Sequence, residues 1–174
     1  YDLGLRGIGI RPFMFGLPPH HAKYYPLYAT CVELDIPIWF HTGINYSTLS
    51  MEVERPIHFD IVAQDFPELK IIAGHGGWPW IPEMMAVARR NANVYIDIAS
   101  IEPRYLGMPG SGWETLMTLG NSILQDRILF ASTWLFMGRT IKQLADGVMA
   151  LPLKETVKRK WLYDNAARLF GLAP

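Results

Sequence analysis

The sequence predicts an α/β fold built on a parallel sheet, either doubly wound or a piece of a (β/α)8 barrel. Five short runs rich in Ile, Val, Phe and Ala recur along its 174 residues, and nearly continuous apolar runs are typical of parallel strands covered on both faces. The stretches between these runs are long enough for helices of about 10 residues, as repeated βα units require. A complete barrel takes about 250 residues, so this sequence would supply about five of its eight βα units.

The composition excludes several classes of protein. Half of the residues are hydrophobic, which suffices for one core, and the length is too short for two ordinary domains, so residues 1–174 are expected to form a single domain. The 16 basic and 16 acidic groups cancel, which gives no electrostatic signature for nucleic acid or for an anionic membrane. No apolar run approaches the roughly 18 residues that span a bilayer. A single cysteine, Cys31, favours a reducing, cytoplasmic compartment and a small buried hydrophobic role.

The expected strands and helices alternate along the chain. Strands are predicted at residues 5–10, 37–41, 70–75, 94–100 and 128–132. Helices are predicted between and after them, with prolines at positions 26 and 56 suited to a first helical turn, at residues 26–35, 56–66, 81–91, 138–150 and 153–170. Residues 102–112 hold two prolines and three glycines, and we expect them to form a long loop on the face that carries the functional residues.

Two histidines stand where predicted strands end. His41 closes the second strand in the run Trp-Phe-His-Thr-Gly, and His75 closes the third in Ala-Gly-His-Gly-Gly. Functional residues of parallel α/β proteins gather at the carboxyl ends of strands, so the two imidazoles are expected to converge. There they suit a divalent metal, particularly zinc, or acid–base catalysis. Strand alternation predicts that His41 shares a face with Trp39, and that His75 shares one with Ile71 and Ala73.

The other polar candidates carry weaker signals. Asp97, at the end of the fourth strand, is interpreted first as a structural hydrogen-bond acceptor. His20 and His21 follow two prolines and are expected at a solvated rim, whereas His58 lies on a predicted helix and is expected at the surface or at an interface. Arg104, in the loop 102–112, could pair with a substrate carboxylate or stand as an exposed cation. The run of residues 74–77 lacks the spacing of a dinucleotide-binding loop, which disfavours phosphate binding.

Seven short motifs, taken in order and spacing, carry a family resemblance. They are Gly-Leu-Arg-Gly-Ile from residue 4, Pro-Leu-Tyr from 26, Pro-Ile-Trp-Phe-His-Thr-Gly from 37, Asp-Phe-Pro-Glu-Leu-Lys-Ile from 65, His-Gly-Gly-Trp-Pro-Trp from 75, Asn-Val-Tyr-Ile-Asp from 93 and Asp-Asn-Ala-Ala-Arg-Leu-Phe-Gly from 164. The chain resembles the amidohydrolase-related family, a group of metal-dependent barrels that includes aminocarboxymuconate-semialdehyde decarboxylase and hydroxybenzoate decarboxylases. The resemblance implies the C-terminal five βα units of a (β/α)8 TIM barrel of the metal-dependent hydrolase type.

The resemblance also implies roles for individual residues. His41 would be a metal ligand, and His75 the histidine that binds or orients the water on the metal. Two features depart from the family pattern, because the His-x-His pair of the family's first strand is absent from this sequence and Thr133 occupies the position of a family aspartate. That aspartate is an anionic ligand and proton handler, and threonine supplies neither charge nor a base near neutral pH. Asp97 is then expected to be the only nearby substitute carboxylate.

Two classes of function follow from the resemblance. The first is a metal-dependent hydrolase or non-oxidative decarboxylase of a small carboxylated or aromatic substrate, with zinc expected before manganese or iron. Arg104 and Trp78 are the expected substrate contacts, and Trp39 and Trp80 would extend an apolar wall. The alternative, motivated by Thr133, is a catalytically degenerate barrel that serves as a binding or partner subunit. The missing strands would come from an N-terminal segment or a partner chain, and homo- or hetero-oligomers are expected; a self-standing five-stranded domain would need dimerisation to cover its edges.

Overall fold

Five parallel strands form one sheet in the computed structural model, which describes residues 4–172. They pair in chain order: β1 (Ile8–Ile10), β2 (Ile38–Phe40), β3 (Ile71–Ala73), β4 (Val94–Asp97) and β5 (Ile128–Leu129). Each lies inside a predicted run and is shorter than that run, because the chain turns out of the sheet before the last predicted residues. A doubly wound sheet reverses its strand order at a switch point. The uninterrupted order seen here belongs instead to a barrel.

Helices separate the strands, as expected. They are α1 (Pro12–Phe15), α2 (Tyr25–Glu33), α3 (Ile57–Asp65), α4 (Ile81–Arg90), α5 (Pro103–Leu106), α6 (Glu114–Gly120), α7 (Trp134–Met137), α8 (Ile141–Met149), α9 (Glu155–Arg159) and α10 (Asn165–Leu169). Helices α3, α4 and α8 fall within the predicted helical stretches, and α2 begins one residue before its predicted start. The long C-terminal helix is also present, with a π-helical segment, Lys160–Asp164, between α9 and α10.

The prediction missed four short helices, α1, α5, α6 and α7. Helix α5 lies inside the predicted loop 102–112, where Pro103 occupies its first turn, a position that proline favours. Helix α6 ends in Gly120, a residue type that commonly follows the end of a helix. Because Gly120 has no β-carbon, the indole of Trp161 can pack directly against it. Helix α7, four residues after β5, carries no buried residue. Tertiary contacts rather than local pattern thus decide α5 and α6.

The two faces of the sheet pack against different partners. One face contributes Ile38, Phe40, Ile71 and Ile96 to the main core, which it forms with the flanking helices. The opposite face carries a smaller cluster, in which Trp39 and Tyr95 pack with Ile72, Leu129 and the C-terminal residues Leu169 and Phe170. In a closed barrel this second face would be the interior, so Trp39 marks the interior side.

The C-terminal helical segment covers the outer edge of β5. The backbone N–H of Phe130 donates to the carbonyl oxygen of Trp161 at 2.8 Å, and the side-chain amide of Asn165 donates to the carbonyl oxygen of Ile128 at 2.7 Å. Within residues 4–172 the other end of the sheet, β1, pairs with β2 alone, so the sheet does not close on itself. None of the helices in these residues is long and apolar enough to cross a membrane.

Candidate active site

His41 and His75 meet at the carboxyl ends of β2 and β3. His41 directly follows β2, and His75 lies in a 3-10 turn, Gly74–Gly77, that follows β3. Their ring centroids are 4.7 Å apart, and both rings pack edge-on to the indole of Trp39. The predicted convergence of the two imidazoles is therefore present, and it lies on the interior side of the sheet.

The face predicted for His75 is wrong. Ile71 and Ala73 are fully buried in the main core on the helix side, whereas His75 contacts Trp39 on the interior side. Strand alternation fails because the chain leaves the sheet at Gly74, and His75 adopts a left-handed backbone with φ of 59°. This conformation is rare for a residue with a β-carbon, and here it turns the imidazole toward His41.

Hydrogen bonds assign the tautomer of each histidine. The Nδ1 atom of His75 lies 3.1 Å from the carbonyl oxygen of Ala99, and the Nδ1 atom of His41 lies 2.8 Å from Oε1 of Glu54. A carbonyl or carboxylate oxygen only accepts, so both Nδ1 atoms donate. In the neutral form of each ring Nε2 then carries a lone pair, which can bind a metal or accept a proton.

The environment of His75 keeps its imidazole neutral. Burial of the ring lowers the pKa of His75 below its ordinary value, because the raising effect of the Asp97 carboxylate is smaller. The neighbouring His41 lowers the pKa further, since two imidazolium charges would repel each other. A neutral imidazole at physiological pH is the form that can act as a base or a ligand.

Asp97 is a structural hydrogen-bond acceptor, as the sequence predicts. Its Oδ1 accepts from the backbone N–H groups of His75 and Ala99, both at 2.9 Å, and its Oδ2 accepts from the indole of Trp39 at 2.5 Å. These donors hold the turn after β3 and the end of β4 in place. Both oxygens are thus committed to the fold, and Asp97 is not available as a substitute base.

Glu54 is the site residue that sequence reasoning missed. Its side chain is fully buried, with Oε1 accepting from His41 and Oε2 accepting from the amide of Asn45 at 2.9 Å. The expectation that Asp97 is the only nearby carboxylate is therefore wrong. Glu54 follows the neighbouring Glu52 in a short 3-10 turn far from any strand end, so no local pattern distinguishes the buried glutamate from the exposed one.

Thr133 forms a neutral hydroxyl pair with Ser100. The Oγ atom of Ser100 donates to Oγ1 of Thr133 at 3.0 Å, across the ends of β4 and β5. Both residues have left-handed backbones, with φ of 60° and 45°. Such strain persists only where the surrounding structure imposes it, and it clusters at functional sites. The position expected to hold the family aspartate thus carries a hydroxyl group, which hydrogen-bonds but brings no charge.

The donor set fits a divalent metal only in part. His41 fits as one ligand, because a carboxylate on Nδ1 orients the ring and raises the basicity of Nε2, an arrangement typical of metal-binding histidines. Thr133 does not fit as an anionic ligand. Across residues 4–172, no three His, Cys, Asp or Glu side chains are grouped to hold a metal ion. A complete centre would need ligands beyond these residues.

The two expected substrate contacts lie in different places. Trp78 lies beside the loop that follows β2, where its carbonyl oxygen accepts from the backbone of Ile44 at 2.8 Å, and its indole passes close to Gly112. Arg104 lies on α5, exposed, with its guanidinium 4.9 Å from the ring centroid of Tyr105. It lines a surface pocket of about 210 Å³ together with a second arginine, Arg139.

The remaining candidates lie outside the histidine pair. The ring centroid of His20 is 4.9 Å from that of His58 on α3, and the Nδ1 atom of His20 is buried without a hydrogen-bond partner. His21 instead accepts from the backbone of Lys23 at 3.2 Å and caps the 3-10 turn there. Cys31 is fully buried in the core, as predicted.

Comparisons with known proteins support the fold. An uncharacterised TIM-barrel protein from Bordetella bronchiseptica is 32% identical, with a TM-score of 0.83 over 98% of this chain and 58% of that chain. A 2,6-dihydroxybenzoate decarboxylase from Rhizobium (24% identity, TM-score 0.69, covering 98% of this chain and 64% of that chain) shares the fold. A dihydroxybenzoic acid decarboxylase from a Polaromonas species, solved with bound manganese, also shares the fold. It is 23% identical, with a TM-score of 0.61 over 89% of this chain and 55% of that chain. A search of curated proteins finds no match.

The chain covers only part of the barrel found in its structural relatives. It spans 58% of the length of the Bordetella protein, and its five parallel strands keep the chain order of a barrel. The fold is therefore a partial (β/α)8 TIM barrel. The family model named amidohydrolase matches residues 1–172, and the chain belongs to the amidohydrolase family.

Proposed function

We propose that the protein is a metal-dependent amidohydrolase-superfamily enzyme, a hydrolase or a non-oxidative decarboxylase of a small carboxylated or aromatic substrate. The observation that carries the proposal is the histidine pair, with ring centroids 4.7 Å apart and both Nδ1 atoms engaged. Both rings thus keep Nε2 for a site at the carboxyl end of the sheet, where barrel enzymes place their chemistry.

Each residue has a proposed part in the reaction. His41 would hold the divalent metal through Nε2, and the metal would supply Lewis-acid polarisation of a substrate oxygen. His75, kept neutral by burial, orients the reacting group and takes or returns a proton at Nε2. Trp78 offers an apolar surface for an aromatic ring, and Arg104 would attract a carboxylate.

The identity of the metal and the reaction belong to the same proposal. Imidazole ligands suit zinc, with manganese and iron as the alternatives, and the Polaromonas decarboxylase was solved with manganese. Decarboxylase relatives also favour a carboxylated aromatic substrate. Cytoplasmic location, and assembly with an N-terminal segment or partner chain into an oligomer, complete the proposal.

The test begins with metal content. Protein purified from its host, with any associated chain retained, should contain about one zinc, manganese or iron per chain by elemental analysis. Incubation with a panel of dihydroxybenzoates, followed by detection of released CO2, then distinguishes decarboxylation from hydrolysis of ester or amide analogues. Absence of metal even after incubation with excess ion would contradict the proposal.

Thr133 favours a second candidate, a degenerate barrel kept for binding. The hydroxyl pair with Ser100 supplies no charge where the family has an aspartate. We expect Thr133→Asp to raise metal affinity and activity if the site is catalytic, because the carboxylate restores an anionic ligand. Unchanged metal content and activity in Thr133→Asp, in a protein that retains its fold, would favour the binding role instead.

A further inference from the structure

We infer that Glu54, itself held by Asn45, is the positioning residue that fixes Nε2 of His41 as the ligating atom. The consequence for a bound metal rests on the proposed function, whereas the effect on the tautomer of His41 does not. Neither Glu54 nor Asn45 lies at a strand end. Both belong to the excursion between β2 and α3, and a backbone hydrogen bond of 3.1 Å from Gly43 to the carbonyl oxygen of Glu54 ties its two ends together.

Two donors face Glu54, and both need an acceptor. Nδ1 of His41 lies 2.8 Å from Oε1, and the amide nitrogen of Asn45 lies 2.9 Å from Oε2. Burial makes any unmatched polar group costly. Of the side chains of this size, only a carboxylate offers two acceptor oxygens and no donor. A glutamate therefore satisfies both donors, and its carboxylate stabilises the tautomer of His41 that is protonated at Nδ1.

Ser47 fixes the orientation of Asn45 from the side opposite Glu54. Its Oδ1 accepts from the backbone N–H of Ser47 at 3.1 Å and from the Ser47 hydroxyl at 2.5 Å. These donors assign the oxygen and leave the amide N–H group to point at Glu54. A chain of directed hydrogen bonds thus runs from Ser47 in the exposed loop, through Asn45 and Glu54, to His41.

Glu54 also brings negative charge to the site. The neutral hydroxyl pair of Ser100 and Thr133 brings no anion to the place where the family has one. The buried carboxylate of Glu54 accepts from Nδ1 of His41, the proposed ligand. A carboxylate hydrogen-bonded to Nδ1 increases the electron density on Nε2. Glu54 therefore supplies through His41 part of the negative charge that position 133 lacks.

The first experiment reads the tautomer of His41 without any metal. In 15N-labelled full-length chain, long-range 1H–15N correlation spectra distinguish a protonated Nδ1 from a protonated Nε2, and His41→Asn assigns the signals. We expect protonated Nδ1 in the wild type. In Glu54→Gln the new amide can serve Asn45 only by turning its nitrogen toward His41, so the proton should move to Nε2 in most molecules.

Two further variants make the experiment decisive. Glu52→Gln removes the same charge from an exposed side chain of the same turn and should leave His41 unchanged. The swap Asn45→Asp with Glu54→Gln restores matched donors and acceptors, because the glutamine oxygen can accept from His41 while its nitrogen donates to Asp. The swap should return the proton to Nδ1. If Glu54→Gln alone fails to fold, the tautomer in the swap variant still tests the inference.

The second readout is Zn2+ affinity, measured by calorimetry on protein purified with any associated chain retained. Loss of such a partner typically weakens metal binding about 10- to 100-fold, and we expect that loss in Glu54→Gln, none in Glu52→Gln and partial recovery in the swap. A folded Glu54→Gln with unchanged tautomer and unchanged Zn2+ affinity would overturn the inference. A wild type that binds no Zn2+ even with its associated chain retained would count against the proposed function, while the tautomer would still decide the role of Glu54.

Discussion

Gly74 shows at the scale of one residue how the site depends on a missing side chain. A β-carbon at this position would lie 2.4 Å from the indole carbon Cζ2 of Trp39 and 2.8 Å from its Nε1. That indole nitrogen donates to Asp97, whose other oxygen holds the backbone of His75. The empty space at Gly74 therefore allows Trp39, Asp97 and His75 to fit together.

Gly74→Ala should destabilise the protein by about 1–3 kcal/mol, the usual cost of overpacking a core. The indole must move, which should also weaken its hydrogen bond to Asp97. Urea unfolding monitored by tryptophan fluorescence measures the change. Gly9→Ala is the matched control, since its β-carbon would lie 3.6 Å from the same indole, an ordinary contact, and its stability should stay within about 0.5 kcal/mol. Equal effects in the two variants would contradict this explanation.

His20 predicts a pH dependence of stability. Burial lowers its pKa, the nearby His58 and His21 lower it further, and Asp65 acts in the opposite direction. Below its ordinary pKa of about 6.5, the unfolded chain therefore binds a proton that the folded chain resists. Stability contributed by neutral His20 is present above that pKa and is lost as the pH falls through it.

The melting temperature should accordingly fall between about pH 7.5 and pH 5.5, a window around the ordinary histidine pKa. His20→Gln should flatten the fall, because glutamine does not titrate. His58→Gln should flatten it less, since it removes only one neighbouring charge and leaves the burial of His20. Calorimetric melts at several pH values give the slopes. An identical slope in wild type and His20→Gln would rule His20 out as the cause.

At the scale of single residues, the convergence of His41 and His75 could be predicted from the sequence. The contact of Glu54 with His41 and the orientation of His75 could not. His41 and His75 were found because strand ends converge in any parallel sheet, and the runs before them are distinctly apolar. Glu54 was missed because its burial depends on a long excursion folding back onto His41. The face of His75 was mispredicted because alternation assumes a strand that continues, and the chain turns at Gly74.

At the scale of elements, the C-terminal segment acts as the cover of the sheet edge. Asn165 is fully buried at the start of α10, and its amide donates to the carbonyl oxygens of Gln125 and Ile128 at 2.9 and 2.7 Å. The π-helical turn before it presents the carbonyl oxygen of Trp161 to Phe130. Backbone groups at the edge of β5 are thereby satisfied without a neighbouring strand.

Asn165→Ala should cost about 1–3 kcal/mol, because it leaves buried carbonyl groups without a donor. Asn165→Asp should cost more, since it turns a carboxylate toward those oxygens. Urea denaturation provides both values. Gln64→Ala removes an exposed amide whose bonds stay within α3, and it should change stability by less than about 0.5 kcal/mol. An effect of Asn165→Ala as small as that of Gln64→Ala would refute the role assigned to the segment.

The elements that could be predicted are those with strong local signals. Apolar runs specified the five strands, and prolines specified the starts of α2 and α3. Helix α5 could not be predicted, because glycines and prolines mark residues 102–112 as a loop, and it packs against α8. Helix α6 lies beyond that range and depends on the packing of Gly120 against Trp161. The π-helical segment has no sequence signal, because its hydrogen bond from the backbone of Phe130 to the carbonyl oxygen of Trp161 joins residues far apart in the chain.

At the scale of the whole molecule, an open sheet and an exposed apolar helix lie at opposite ends of the strand order. β1 has one strand partner within residues 4–172, and an unpaired edge is a template for association. Helix α7, just after β5, exposes Leu135 and Phe136 by 72% and 89%. Exposed apolar clusters of this kind mark contact surfaces. Both features predict that the chain associates, as the sequence already suggested.

Light scattering coupled to size exclusion should therefore show a species larger than one chain, with a monomer fraction that rises on dilution. The double variant Leu135→Ser/Phe136→Ser should increase that fraction without lowering the melting temperature, because neither side chain contributes to the core. Ile57→Ser/Ile61→Ser is the matched control, since it removes two exposed apolar side chains from α3 and should leave the monomer fraction unchanged. Wild-type protein that is monomeric at every concentration would contradict the prediction, whereas equal dissociation of both double variants would show that hydrophobicity in general, and not α7, holds the copies together.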